Sequence, residues 1–131
     1  MTPRRTVIEI AANSVRSAMA AEAGGADRIE LCEFLEGGGV TPSFGTIAYT
    51  REQLNIPLHV LIRPRVGDFC YGDHEFEIML RDVSMCRHLA CDAVVIGALT
   101  AAAGCLAAIS FEAGAQAISA LQPRSAARVR D

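Results

Sequence analysis

Lysine and tryptophan are absent from this 131-residue chain, and all 12 basic residues are arginine. Without lysine there is no Schiff-base nucleophile and no phosphate-binding P-loop. No CxxC pair occurs among the five cysteines, whose number is odd and whose spacing is irregular. That favours free thiols and a reducing compartment, the cytoplasm, over a disulfide framework. No basic stripe is present and the net charge is −3, so nucleic acid is not expected as a partner. Arg4-Arg5 leads into a short strand-like run and not into a secretory apolar core, so no signal peptide is expected. Hydrophobic residues make up 51% of the chain, enough for one domain with a core.

A charge-free run from Ala93 to Phe111 is long enough for a membrane span by length alone. Gly97, Thr100, Gly104 and Ser110 interrupt it and no aromatic belt frames it. The preferred reading is a buried strand, Ala93 to Leu99, running into an Ala-rich tail, with no membrane contact.

What is present is organised around Ala26 to Ser43, ADRIELCEFLEGGGVTPS. Arg28, Glu30 and Cys32 alternate with Ile29 and Leu31, so on a strand the three polar side chains share one face. Such a polar face suits a barrel strand whose inner end opens into a site. Gly37, Gly38 and Gly39 allow positive φ and close approach to a ligand. Thr41-Pro42-Ser43 then starts a helix, with Ser43 as N-cap.

Along the rest of the chain, strands are expected over Thr6 to Ala11, Leu58 to Arg63 and Asp92 to Leu99. Helices are expected from Asn13 as cap to about Ala23, from Ser43 to about Leu54, and from Asp73 as cap to about Leu89. The order is β-α-β-α-β-α-β, an α/β chain of parallel units with right-handed crossovers. Gly24-Gly25 ends the first helix as a left-handed cap should. Ala26-Asp27 before the second strand is echoed by Cys91-Asp92 before the fourth. Ala90 then stands where Gly25 does, and positive φ there costs about 1 kcal/mol without glycine. Beyond Thr100 this grammar fails. Residues 104–121 are expected as a marginal Ala-rich helix, and Pro123 to Asp131, with three arginines, as disordered.

Glu9 and Glu30 are expected near the C-terminal ends of neighbouring strands, where barrel enzymes place active groups. They suit acid–base work or a cation, or equally ion pairs with Arg28 or Arg63. His59 and Arg63 share a face of the third strand. Arg63 at the strand end suits a bidentate anion grip or a salt bridge to Glu30. Arg65, Asp68 and Tyr71 line the next loop and cover the site, though a surface turn explains Asp68 as well. Cys32 is the best soft-metal donor, because thiolates select Cu(I) over harder ions. Cys70, in the third loop, is a second. Cys86 and Cys105 read as small buried residues. Cys86 with Cys91 is not expected as a metal pair, since a spacing of five leaves one helix face. Met19, Met79 and Met85 fit helix packing.

VIEI (Val7–Ile10), GGADRIELC (Gly24–Cys32), EGGGVTPS (Glu36–Ser43), IPLHVLIRPRVGDFCY (Ile56–Tyr71) and DAVVIGALT (Asp92–Thr100) occur in an order and spacing that resemble the CutC copper-homeostasis family. The resemblance covers about Thr6 to Thr100. It implies a TIM-barrel-like fold, of which 1–100 is the N-terminal half with four recognisable strands, and 101–131 is a divergent Ala/Arg-rich tail. A complete barrel needs about 200–250 residues, so a truncated gene product or a reading-frame change is expected after Thr100. The resemblance also implies Cu(I) binding between a cysteine on the first strand and one on the second. Here the first of these positions is Ala11.

Three functions are left open: a cytoplasmic copper-homeostasis protein, a barrel enzyme acting on a small anionic metabolite, and a non-functional fragment. Half a barrel leaves an unpaired strand at each end and favours a homo-oligomer.

Overall fold

The computed structural model describes residues 4–100 and 104–112. One five-stranded sheet carries the fold, in the order β1 (Glu9–Ala12), β2 (Arg28–Leu31), β3 (Leu58–Ile62), β4 (Ala93–Thr100), β5 (Gly104–Glu112). The first four strands are parallel. Helices α1 (Val15–Ala23), α2 (Phe44–Gln53) and α3 (Asp73–His88) make the crossovers between them. These are the parallel α/β units that the alternation predicts.

One parity of the strands faces the helices. Ile29, Leu31, Leu58, Val60 and Ile62 are fully buried there and join Ile47, Met79 and Ile96 in one core. Each such side chain contributes about 1.5–3 kcal/mol by leaving water. The other parity of β2 and β3 carries Arg28, Glu30, His59 and Leu61, the face that turns inward in a barrel.

Caps locate the helices to the residue. Ser14, not Asn13, caps α1: its backbone is extended and its hydroxyl accepts the Ser17 N–H at 3.1 Å. Ser43 caps α2 in the same way, accepting from Thr46. Gly72 precedes α3 and Asp73 is its first residue, because Glu75 reaches back to the Gly72 N–H at 2.8 Å.

The caps at the far ends of α1 and α3 are the same motif. At α1, Gly25 N–H donates to Glu22 and Ala26 N–H to Ala21. At α3, Ala90 N–H donates to Arg87 and Cys91 N–H to Cys86. Both are Schellman closures turning on a left-handed residue, Gly25 at φ 95° and Ala90 at φ 56°. The echo continues one residue on. Asp27 N–H donates to the Ile8 carbonyl and its carboxylate takes back the Ile8 N–H. Asp92 does both to Leu58. Each aspartate also holds an arginine, Arg5 and Arg51.

Three expectations are corrected. First, β1 begins at Glu9, because its ladder can start only where β2 offers a partner, at Arg28. Val7, Ile8 and Ile10 are exposed at this free edge. Second, residues 104–112 form a strand antiparallel to β4, not the start of a helix. A short connection can return only an antiparallel strand, and the alanine-rich run is apolar enough to pair. The β4 edge is therefore covered, and the expected helix over 113–121 and the terminal stretch lie outside the described residues. Third, Met19 is exposed on α1, whereas Met79 is buried and Met85 packs against the core. Among the described residues no helix is long and apolar enough to cross a membrane.

Candidate functional site

Strand register sets the inward side chains at two levels. At the lower level Glu9 opens β1 opposite Arg28. Ala11, Glu30, His59 and Ala93 then form one row across four strands. At the upper level Cys32 and Arg63 lie just past the ends of β2 and β3. Glu9 is therefore at the start of its strand and not at the C-terminal rim, and the expected single cluster is two.

The lower level is a charged network. Glu9 is ion-paired to Arg28 and lies 3.6 Å from His59 Nδ1. Glu30 meets the Glu9 carboxylate, and burial first, then the Glu9 charge, pushes Glu30 above the usual carboxylate range against the pull of Arg28. Glu30 therefore keeps its proton to a higher pH than an ordinary glutamate. Beside Glu9 and a nine-tenths-buried imidazole, it is able to hold and pass a proton.

The upper level is built on Arg63, itself 7% exposed. Its Nη1 donates to the Gly37 and Gly39 carbonyls at 3.1 and 3.0 Å, and Nη2 to Gly67 at 2.8 Å. The Phe69 ring covers the guanidinium at 4.7 Å. Only Nε is not committed to a carbonyl, and Tyr71 lies beside the guanidinium. Arg63 thus ties the glycine turn after β2 to the loop after β3, where an anion grip or a salt bridge to Glu30 was expected. Thr41 completes the tie, accepting the Arg63 N–H at 2.8 Å and donating its own N–H to the Arg63 carbonyl.

Arg65 organises the loop. It is ion-paired to Glu75, donates to Asp68 Oδ1 at 3.1 Å and to the Cys70 carbonyl at 2.9 Å, and stacks on Tyr71. Those bonds hold Asp68 and Glu75 below the usual carboxylate range: the Cys70 N–H first for Asp68, Arg65 first for Glu75. Cys70 is exposed in this loop. Leu99 N–H donates to the Phe69 carbonyl at 2.8 Å, docking the loop on β4.

Cys32, at the upper level, is 2% exposed. Gly39, at φ 87°, passes so close that a Cβ there would lie 2.8 Å from Leu61 and 3.6 Å from the Cys32 sulfur. Burial first, then Glu30, Glu33 and Glu36, pushes the Cys32 thiol up. Phe69 and Thr41 were missed by the sequence reading. The first carries no polar group to mark it, and the second was read only as part of a helix start. Among the described residues no three His, Cys, Asp or Glu side chains converge as a metal site.

The CutC family model matches residues 6–120. The chain belongs to the CutC family. The match begins at the expected residue and runs past Thr100, where the recognisable motifs stop. A CutC family protein of Xanthomonas axonopodis pv. citri is 64% identical over 92 residues, 70% of this chain and 38% of the relative. One from Chromobacterium violaceum is 54% identical over 95 residues, 72% of this chain and 38% of the relative. The crystal structure of CutC from Streptococcus agalactiae, whose proposed role is copper homeostasis, superposes with TM-score 0.70 at 36% identity. It covers 74% of this chain and 48% of that one. The chain thus spans less than half the length of these CutC relatives.

Proposed function

We propose that this chain serves copper homeostasis in the cytoplasm, with Cu(I) as cargo and Cys32 as its soft donor. Membership of the CutC family and the role proposed for the Streptococcus agalactiae relative support the reading. The observation that carries it is the position of Cys32, a buried thiol on the inward side of the sheet with a glycine backbone beside its sulfur. Thiolate selects Cu(I) over harder ions. Because burial, and then the acidic neighbours, hold the thiol protonated, binding displaces a proton and strengthens as pH rises. Ala11 offers no donor. Cys70, exposed at the same end of the sheet, is the second thiol we assign. Cu(I) titration of the reduced protein against a competing chelator tests this: affinity falls in Cys32→Ala and holds or rises in Glu30→Ala. Affinity unchanged by Cys32→Ala removes the thiolate.

A second reading has its own support. The raised carboxyl of Glu30, beside Glu9 and His59, is the kind of perturbed group that proton-transfer sites contain. It suits an enzyme acting on a small anionic metabolite. Saturable binding of carboxylate or phosphate metabolites that is lost in Glu30→Ala and kept in Cys32→Ala favours this reading over copper.

A further inference from the structure

We propose that Cys86 and Cys91 form a redox-active pair that closes to a disulfide across the end of α3. The spacing of five would separate them on a continuous helix. The helix does not continue: it ends at His88, and the turn at Ala90 folds the chain back so that Cys91 N–H reaches the Cys86 carbonyl at 3.0 Å. Residues in these two places of a Schellman closure touch through their side chains. Here the side chains are two thiols within interaction range of one another, 1% and 6% exposed.

The closure at α1 provides an internal comparison. Its two contacting positions are Ala21 and Ala26, both packed in the core. Methyl groups therefore suffice to close such a cap in this fold, and packing alone does not call for sulfur. Charge decides what the thiols can become. Both lie in the apolar core, where a disulfide is neutral, whereas Cu(I) held by two thiolates would bury net negative charge at high cost and a divalent ion would need further donors. Among the described residues no third donor accompanies them.

The two sulfurs are not equivalent. The bond to Cys91, then burial, holds the Cys86 thiol protonated. The same bond, aided by Arg51, lowers Cys91 despite its burial. Arg51 is ion-paired to Asp92 next door. Cys91, the less buried of the two and next to the Arg51–Asp92 ion pair, is the attacking sulfur and Cys86 the resolving thiol. The oxidant is a small-molecule disulfide. Cys91 sulfur attacks it, forming a mixed disulfide and releasing one thiolate, which takes up the Cys91 proton. Cys86 then loses its proton and attacks the Cys91 sulfur, expelling the second thiol. Two hydrogens leave the protein and the oxidant ends as two thiols. Both sulfurs are buried, so the reaction requires the cap at Ala90, strained at φ 56°, to open to the reagent. In a reducing compartment such a bond is transient and reversible.

The test is oxidation of the whole reduced chain with glutathione disulfide, native and in denaturant, followed by alkylation and peptide mapping. The native chain is expected to accumulate the Cys86–Cys91 bond severalfold over its share of the random pairings formed in denaturant. Cys86→Ala should trap the mixed disulfide on Cys91, and Cys91→Ala should leave Cys86 reduced. The proposal is overturned if the native and denatured distributions coincide. It is equally overturned if Cys32 or Cys70 oxidises while this pair stays reduced, or if the mixed disulfide on Cys91 persists in the unsubstituted chain. These outcomes do not depend on whether Cys32 takes copper.

Discussion

Ala90 holds the left-handed place in the cap of α3 that Gly25 holds in the cap of α1, with φ 56° against 95°. Only glycine takes that conformation without a clash between Cβ and the carbonyl. Ala90→Gly should therefore stabilise the chain by about 1 kcal/mol, and Gly25→Ala should destabilise it by a similar amount. The space around Gly25 is open, so strain and not collision sets its cost. Urea midpoints at constant slope check both. Destabilisation by Ala90→Gly would mean that the glycine's extra freedom in the unfolded chain outweighs the strain.

Glu30 makes stability depend on pH. Its carboxyl is raised by burial and by Glu9, so the folded chain keeps that proton to a higher pH than the unfolded chain. The contribution is complete below the ordinary carboxylate range and is lost as pH rises through the raised value. Glu30→Gln should therefore gain stability relative to the parent on going from about pH 4 to about pH 7. Asp68 and Glu75 work in the opposite direction, since they are lowered, but they are solvent-screened and their effect is small. A difference between Glu30→Gln and parent that does not change with pH contradicts the assignment.

Arg63 bonds three loop carbonyls from a buried position. Arg63→Met should cost about 3 kcal/mol, because charged hydrogen bonds vanish and the buried Gly39 carbonyl loses its donor. Arg63→Lys should recover only part of that, since one ammonium cannot reproduce the planar fork. Denaturation curves measure the loss. Hydrogen exchange should show it concentrated at the turn around Gly37 to Gly39 and the loop around Gly67. A Lys variant as stable as the parent would show that charge and not geometry ties the loops.

Much of the fold was legible because its signals are local. Alternation over Arg28 to Cys32 put one parity in the core and the other inward, and glycine marked the cap that Ala90 repeats. The start of β1 was not legible, because a strand's ladder is set by its partner and not by its own residues. Nor was β5, since an apolar alanine-rich run suits either a helix or an antiparallel return. For the site, the shared face of Glu30 and Cys32 could be read from spacing. Their division into two levels could not, because it depends on register between strands. The partners of Arg63 are backbone carbonyls, which leave no trace in side-chain identity. The meeting of Cys86 and Cys91 was obscured by counting helical turns through a helix that stops between them.

X-ray absorption of the Cu(I)-loaded, reduced chain addresses the copper reading most directly, carried out with Cys86→Ala and Cys91→Ala so that those thiols cannot compete. Copper–sulfur scattering should be present and should fall when Cys32→Ala is added. A shell of nitrogen and oxygen only, or sulfur scattering undiminished by the loss of Cys32, would contradict the account.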